Sequence, residues 1–112
     1  MILDTATLLA DQVALLDEGD AAGLAQRYHP EGAVLHGGGA VEGAEAILEL
    51  FTGAVAPSRR TVRATTVCRT QDTLLYDVVQ DVDGSTVRIV GTFVLREGLI
   101  WRHTSLVVPV DA

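Results

Sequence analysis

The chain has 112 residues, the length of a single domain, so residues 1–112 are expected to fold around one hydrophobic core. A formal net charge of −7, with 15 acidic residues against 8 arginines, would repel a polyanion, so nucleic acid is not an expected partner. No apolar run has the length of a membrane span, so no membrane partner is expected, and the lone Cys68 cannot close an intramolecular disulfide, which favours the cytoplasm.

A first helix is predicted over residues 4–18. Asp4 or Thr5 offers a side-chain oxygen to the first-turn amides, and Gly19 ends the helix because glycine tolerates the left-handed closing residue. The apolar side chains of this helix recur at helical spacing, at Leu9, Val13 and Leu16.

A short second helix is predicted to follow, capped by Asp20 and ended by His29-Pro30, because proline disfavours helical geometry in the residue before it. His29 is accordingly expected at a solvated helix end. The apolar stripe of this helix consists of Ala21, Leu24, Ala25 and Tyr28.

A brief strand is predicted over 33–36, and the glycines at 37–39 that follow it are expected to rim a pocket. A third helix is predicted over 44–55 and is closed by Pro57 and Ser58. Its apolar residues match the spacing of one buried helix face: Ile47, Leu50, Phe51, Ala54 and Val55.

The rest of the chain is predicted to form strands, at 61–69, 73–82, 86–96 and 99–108. Asp83-Gly84 and Glu97-Gly98 are typical of tight hairpin turns, and such short connections make neighbouring strands antiparallel. The predicted fold class is therefore α+β: a cone-shaped, curved antiparallel sheet wrapped around three N-terminal helices. The sheet is a meander of four long strands plus the short strand.

Alternation along the last three strands divides their side chains between two faces, and the aromatic-bearing sets are taken to face the helices. These inner sets are Tyr76, Val78, Gln80 and Val82, then Val87, Ile89, Gly91, Phe93 and Leu95, then Trp101, His103, Ser105 and Val107. The outer face carries Val90 and Leu106, and Asp77 and Asp81 are expected to pair there with arginines. Because an exposed apolar sheet face usually meets another surface, a homodimer through this outer face is predicted.

Three local motifs carry a resemblance to a known superfamily. They are Leu16-Asp17-Glu18-Gly19-Asp20, then Tyr28-His29-Pro30-Glu31-Gly32-Ala33-Val34, then Gly43-Ala44-Glu45-Ala46-Ile47. With the order of elements, they make the chain similar to the SnoaL-like and ketosteroid-isomerase-like branch of the nuclear transport factor 2 superfamily. The resemblance implies the cone fold and a pocket, but the superfamily includes isomerases, cyclases, dehydratases, epoxide hydrolases and binding modules.

The same resemblance implies that the ketosteroid isomerase mechanism is absent. The positions that align by eye with the isomerase's oxyanion-hole tyrosine, base aspartate and second acid hold Gln12, Gly37 and Gly91. That mechanism needs a carboxylate to move a proton and acids to hold the enolate, and none of these groups is present. An epoxide hydrolase constellation is not matched either, because Asp77 and Asp81 fall on the outer face.

His103 is the candidate catalytic residue, because an imidazole among apolar walls can act as a general acid or base near neutral pH. The alternative is a pocket-lining histidine whose hydrogen bonds are satisfied by a neighbour or by water. Gln80 needs a partner if it is buried, which makes it a candidate ligand contact. The full set of candidate ligand-binding residues is Gln12, Tyr76, Gln80, Phe93, Trp101, Ser105 and His36.

His36 enters this set only if the strand bulges, because strict alternation places Leu35 inward and His36 outward. Cys68 shares a face with Val62, Ala64 and Thr66, and is expected as a small core residue rather than a nucleophile. The histidines lack metal-site spacing, so no metal and no cofactor are expected.

Two functions follow from these residues. The first is binding of a small, largely apolar molecule in the pocket, with or without cofactor-free acid–base chemistry of the isomerase, cyclase or hydrolase type, for which glycines at 37 and 91 leave room. The alternative is a non-catalytic binding or dimerisation module.

Overall fold

The computed structural model describes residues 1–54 and 60–110, which form an α+β fold of three helices and a curved, unclosed sheet of six strands. The helices are α1 (Leu8–Glu18), α2 (Ala21–Gln26) and α3 (Ala44–Ala54). The strands are β1 (Tyr28–His36), β2 (Gly39–Glu42), β3 (Arg60–Arg69), β4 (Thr73–Val82), β5 (Ser85–Arg96) and β6 (Leu99–Val108). The predicted fold class is confirmed, whereas the predicted contributions of Val55, Pro57 and Ser58 lie outside the described residues.

The four C-terminal strands form the antiparallel meander predicted from the sequence, in the spatial order β6-β5-β4-β3. Both tight turns have positive φ at their two central residues, with 50° at Asp83 and 87° at Gly84, then 54° at Glu97 and 79° at Gly98. Aspartate and glycine tolerate this left-handed geometry, which matches the twist of the strands on either side. The turns therefore fix the register of the meander.

The first strand is longer than predicted, and the second helix is shorter. α2 ends at Gln26, and Tyr28 begins β1 because the Arg27 carbonyl accepts a hydrogen bond from the Ile100 amide at 2.9 Å. β1 runs parallel to β6, so the sheet is mixed, and its register is interrupted between Tyr28 and Ala33, where Pro30 has no amide hydrogen to donate. The placement of Tyr28 and His29 at a helix end was wrong, because pairing with a distant strand outweighs the local signal.

The glycine run forms a hairpin turn that the sequence did not reveal. His36 pairs with Gly39 across residues 37 and 38, and β2 then runs antiparallel to β1. Gly39 has a φ of 135°, which a side chain would rarely adopt. The run thus connects two strands and is not among the residues that line the interior cavity described below.

The first helix begins later than predicted because the segment before it is tied to the sheet. Thr5 is buried and donates its hydroxyl proton to the Thr70 carbonyl at 2.7 Å, so residues 5–7 form a turn and α1 starts at Leu8. Gly19 does end α1, with a φ of 70°, and Asp20 caps α2 by accepting from the Gly23 amide. Within the described residues, no helix is long and apolar enough to span a membrane.

The core lies between the helices and the concave face of the sheet. Its most deeply buried side chains come from all three helices and from three strands: Leu8, Leu24, Ile47, Leu74, Phe93 and Ile100. Aliphatic side chains do most of the filling, and the aromatic rings lie together near the centre of the sheet.

Candidate functional site

An interior cavity of about 300 Å³ lies between α1 and the concave faces of β4, β5 and β6. Its walls are mainly aliphatic and aromatic, and its polar groups come from a few side chains. The lining residues include Leu9, Gln12, Val13, Leu16, Phe51, Arg60, Tyr76, Val78, Gln80, Ile89, Phe93, His103 and Ser105. Small-molecule sites commonly combine apolar walls with a few polar groups in this way.

His103 lines the cavity and is buried, with its ring stacked on Phe93 and the ring centroids 4.1 Å apart. Each of its ring nitrogens meets a tyrosine: Nδ1 lies 2.7 Å from the Tyr28 hydroxyl, and Nε2 lies 2.9 Å from the Tyr76 hydroxyl. Because both nitrogens are engaged by protein groups, the imidazole links two tyrosines and leaves no nitrogen open to the cavity.

The hydrogen-bond network determines which nitrogen of His103 carries the proton. The Tyr28 oxygen already accepts from the Gln12 amide at 3.0 Å, so its own proton is donated to Nδ1. Nε2–H then donates to the Tyr76 oxygen, and Tyr76 donates onward to the Thr104 carbonyl at 3.3 Å. This direction gives both hydroxyl protons an acceptor, whereas the opposite tautomer would leave the Tyr28 proton without one among the described residues.

Burial keeps all three rings of this network neutral. It lowers the pKa of His103 from 6.5 to about 3, because the charged imidazolium would lose its hydration. Burial likewise raises the pKa of Tyr76, and it raises the pKa of Tyr28. At neutral pH the network therefore presents a hydroxyl, not a charge, to the cavity.

Arg27 extends the network to the back of the fold. Its Nε–H donates to the Gln12 carbonyl oxygen at 2.9 Å, and its Nη2 donates to the Leu8 carbonyl at 3.3 Å. Gln12 is held in one orientation as a result, because its oxygen accepts from Arg27 while its nitrogen donates to Tyr28. Polar chains of this kind restrain each member more than isolated pairs do.

Gln80 and Arg60 differ from this network because they have unmet hydrogen-bonding capacity. Gln80 is 7% exposed and lines the cavity, and its side chain makes no hydrogen bond to any described residue. The Nε–H of Arg60 is buried without a partner in residues 1–54 and 60–110, while its Nη1 pairs with Asp17 at 3.2 Å. A buried unmet donor such as the Arg60 Nε–H costs roughly 1–3 kcal/mol, so an acceptor bound beside it would be favoured.

Most predicted site residues do line the cavity, but Trp101 does not. Gln12, Tyr76, Gln80, Phe93, His103 and Ser105 all face it. A register shift between Val94 and Leu95 places Ile100, rather than Trp101, opposite Leu95. The indole instead lies against Arg102, whose guanidinium carbon is 3.8 Å from the ring centroid. Strict alternation fails here because a bulge changes the parity of the strand.

The room expected at Gly91 is already filled. A side-chain carbon at this position would collide with the Tyr76 hydroxyl and with the Thr104 carbonyl. Gly91 therefore admits the tyrosine from the neighbouring strand and not a ligand. Gly37 has open space around it, but it lies in the β1–β2 turn and does not face the cavity.

The histidines at 29 and 36 are also placed differently from the predictions. His29 is buried in β1, where its Nδ1 accepts from the Glu31 amide at 3.0 Å and its Nε2 lies 3.7 Å from Glu97. His36 pairs with Ser105, which puts it on the inner face, and Leu35 is exposed. The prediction from strict alternation, with Leu35 inward and His36 outward, was therefore wrong. His36 nevertheless does not line the cavity, because its Nδ1 accepts a hydrogen bond from the Gly38 amide.

Cys68 is exposed rather than buried in the core. A register shift between Val62 and Ala64 puts Cys68 opposite Leu75 on the outer face of the sheet. The structure also brings in residues that the sequence did not single out, namely Arg27, Tyr28 and Arg60. Arg60 could have been found by extending the alternation of β3 back from Val62, whereas Tyr28 gave a helical signal that concealed its role.

The outer face carries the predicted cross-strand pairs between arginines and aspartates. Arg63 contacts Asp81 at 2.7 Å, and Arg88 makes two hydrogen bonds to Asp77, whose pKa is lowered chiefly by them. In the part of the chain that the structure describes, no group of three or more histidine, cysteine, aspartate or glutamate side chains is arranged to hold a metal.

The helices, the curved sheet and the cavity define a cone-shaped fold of the nuclear transport factor 2 type. The family model described as the SnoaL-like domain matches residues 9–103, and the chain therefore belongs to this family. Domains of this fold often bind small molecules or act as isomerases or cyclases. A comparison with curated protein sequences found no match.

Solved structures agree on the fold. A protein from Sphaerobacter thermophilus is 17% identical, with 92% of this chain and 94% of that chain covered and a TM-score of 0.76. An NTF2-like protein of unknown function from Cytophaga hutchinsonii is 16% identical, with 97% and 93% covered and a TM-score of 0.75. The epoxide hydrolase/cyclase-like enzyme SalBIII, described in pyran ring formation in polyether salinomycin, is 17% identical, with 93% and 90% covered and a TM-score of 0.72.

Proposed function

We propose that this chain binds a small, largely apolar molecule in the cavity, with Gln80 and Tyr76 holding a carbonyl or hydroxyl oxygen of that molecule. The amide of Gln80 carries the proposal, because it faces the cavity from a mostly buried residue, has no hydrogen-bond partner among the described residues and is free to bond a polar group of a ligand. Tyr76 supports it, since its bond of 3.3 Å to the Thr104 carbonyl is long and can be exchanged for a ligand oxygen.

A matched pair of probes tests this proposal. Binding of 2-naphthol and of naphthalene is compared by thermal shift and calorimetry, since a ligand selective for the native state raises the melting temperature. The wild-type chain is expected to bind 2-naphthol about five- to a hundredfold more tightly than naphthalene, the equivalent of one buried hydrogen bond to Gln80.

The Gln80→Leu variant is the control for the polar contact, because leucine keeps most of the volume and removes the amide. It is expected to bind both probes with similar affinity. Failure of both probes to bind the wild-type chain, or an undiminished preference for 2-naphthol in Gln80→Leu, would contradict the proposal.

The sequence also raised the hypothesis that His103 performs acid–base chemistry on the bound molecule. This hypothesis is tested separately from binding. A turnover assay on any ligand found would show at least about a hundredfold loss in His103→Gln if the imidazole moves a proton. The two tyrosine contacts and the lowered pKa favour a positioning role instead. In that case ligand affinity and turnover would fall together in His103→Gln, without a change in the pH profile.

A homodimer through the outer sheet face is the second candidate function. Leu75 and Leu106 are 46% and 57% exposed on this face. On the same face the hydroxyl oxygens of Thr92 and Thr104 are hydrogen-bonded to each other at 2.7 Å. A self-complementary apolar patch with small polar groups is suited to a twofold contact.

Light scattering at tens of micromolar tests the dimer. Leu106→Glu is expected to convert a dimer to a monomer, whereas Val107→Glu, one residue further on and on the opposite face, is expected to leave it intact. A wild-type monomer at that concentration would rule the interface out.

We also propose a cytoplasmic location, supported by the absence of any second cysteine in the sequence.

A further inference from the structure

The concave face of the sheet is not covered along its whole width. β3 is the edge strand, and all of its residues from 61 to 69 are exposed. The register pairs Val62 with Gln80 and Val67 with Tyr76, which places both valines on the same face as those buried residues. Even so, Val62 and Val67 are 44% and 43% exposed. An apolar strip of the inner face is therefore left open to solvent.

This open strip forms one wall of a cleft of about 480 Å³ between α1 and β3. The opposite wall is lined by small or aliphatic side chains near the start of α1, and polar groups are confined to a few positions. The lining residues are Thr5, Ala6, Leu9, Ala10, Val13, Val62, Thr65, Val67, Arg69, Leu74 and Val78. The alanines at 6 and 10 leave the cleft wide, because they carry no side chain long enough to reach β3.

The cleft and the interior cavity adjoin each other. Leu9, Val13 and Val78 line both hollows, so the boundary between the cavity and the cleft is formed by aliphatic side chains of α1 and β4. Gln80 lines the cavity and Arg69 lines the cleft. A polar group in the cavity with an apolar cleft beside it fits an elongated guest.

We infer that the ligand is an elongated molecule, with a carbonyl or hydroxyl group in the cavity and an acyl or alkyl chain lying in the cleft along β3. This inference rests on the proposed function and adds the substrate class. The shared aliphatic lining of the two hollows supports this occupant over a second copy of the chain, because a flat partner surface would cover the cleft but leave the cavity unfilled. Burial of an apolar chain is favourable in proportion to the area removed from water.

A homologous series of 2-alkanones from hexanone to dodecanone tests the inference by calorimetry. All members have the same polar group and differ only in chain length. Affinity is expected to rise about two- to fourfold for each methylene added beyond the chain length that fills the cavity. If 2-naphthol binds but affinity does not rise with chain length, the inference is overturned while the proposed function stands. If neither 2-naphthol nor any alkanone binds, both fall.

Val67→Asp and Cys68→Asp form the matched pair of variants. The two residues are adjacent and exposed, but Val67 faces the cleft and Cys68 faces outward. Val67→Asp is expected to reduce affinity for the longest ketones at least about tenfold and to leave 2-naphthol unchanged, and Cys68→Asp is expected to alter neither. Equal effects of the two variants overturn the inference. So does a change of oligomeric state in Val67→Asp with chain-length dependence intact, which would assign the cleft to a second copy.

Discussion

The concave face of this sheet has two halves that treat polar groups in opposite ways. In the half formed by β1, β5 and β6, the helices cover the sheet, and Gln12, Tyr28 and His103 complete one another's hydrogen bonds. In the half formed by β3 and β4, an open cleft separates β3 from α1, and Gln80 on β4 has no hydrogen-bond partner among the described residues. In the covered half the polar groups stabilise the fold by satisfying one another, whereas beside the open edge Gln80 has hydrogen-bonding capacity left for the ligand proposed above.

The largest expected effect is a loss of folding stability when His103, in the covered half, becomes protonated. In the unfolded chain His103 binds a proton near pH 6.5, whereas in the native chain its pKa is about 3. Between these values the unfolded state holds more protons, so stability is lost as the pH falls from 6.5 towards 3, by up to about 5 kcal/mol.

Urea unfolding at a series of pH values measures this contribution. In His103→Gln, the dependence of the unfolding free energy on pH between 4 and 6 is expected to be shallower by about 1.4 kcal/mol per pH unit than in the wild-type chain. Equal slopes in the two proteins would show that the imidazole is not buried in its neutral form.

A smaller effect is expected from adding one carbon atom at Gly91. In Gly91→Ala the new methyl group collides with the Tyr76 hydroxyl and the Thr104 carbonyl, so both the packing and the hydrogen bond to His103 are disturbed. The free energy of unfolding should fall by about 3 kcal/mol. Gly37→Ala, which meets nothing within 4 Å, is the control and should change it by less than about 0.5 kcal/mol. Comparable losses in both would remove the packing argument.

The two tyrosines sharpen the comparison, because they flank one imidazole but belong to different halves. Tyr28 is not among the residues that line the cavity, and Tyr28→Phe leaves Nδ1 of His103 and the Gln12 amide without their buried partner, which should cost about 1–3 kcal/mol of stability. Tyr76→Phe should cost less, since cavity water can replace the hydroxyl, but should weaken 2-naphthol binding more. Thermal unfolding and calorimetry on the same samples separate the two effects, and the reverse order would contradict the division into halves.

The C-terminal meander and its turns were predictable because each depends on nearby residues. Asp83-Gly84 specifies its own turn, and alternation around it then places Tyr76 and Gln80 correctly. The predictions failed where a bulge inserts one residue into a strand, and where a segment pairs with a strand that is distant in sequence. Trp101 is displaced by a bulge, and Tyr28 is recruited into a parallel pairing that no local pattern indicates.

The candidate site was predictable as a list of wall residues but not as a mechanism. Periodicity placed His103 on the inner face. That tyrosine hydroxyls are hydrogen-bonded to both of its ring nitrogens is evident only from the folded structure. The unmet hydrogen-bonding capacity lies instead with Gln80 and the exposed apolar surface with β3, and exposure of that kind depends on how the sheet curves relative to α1. Curvature is a property of the whole sheet, so single residues do not reveal it.

The parallel pairing of β1 with β6 has a consequence for how the chain reaches its native state. Tyr28 and His103 meet across 75 positions of sequence, and β6 lies between β1 and β5, so the sheet stays in two pieces until the final strand docks. Closing so long a loop costs chain entropy before any contact is gained, which places this domain among slower folders for its size. The imidazole that completes the buried network also links the first strand of the chain, β1, to the last strand, β6.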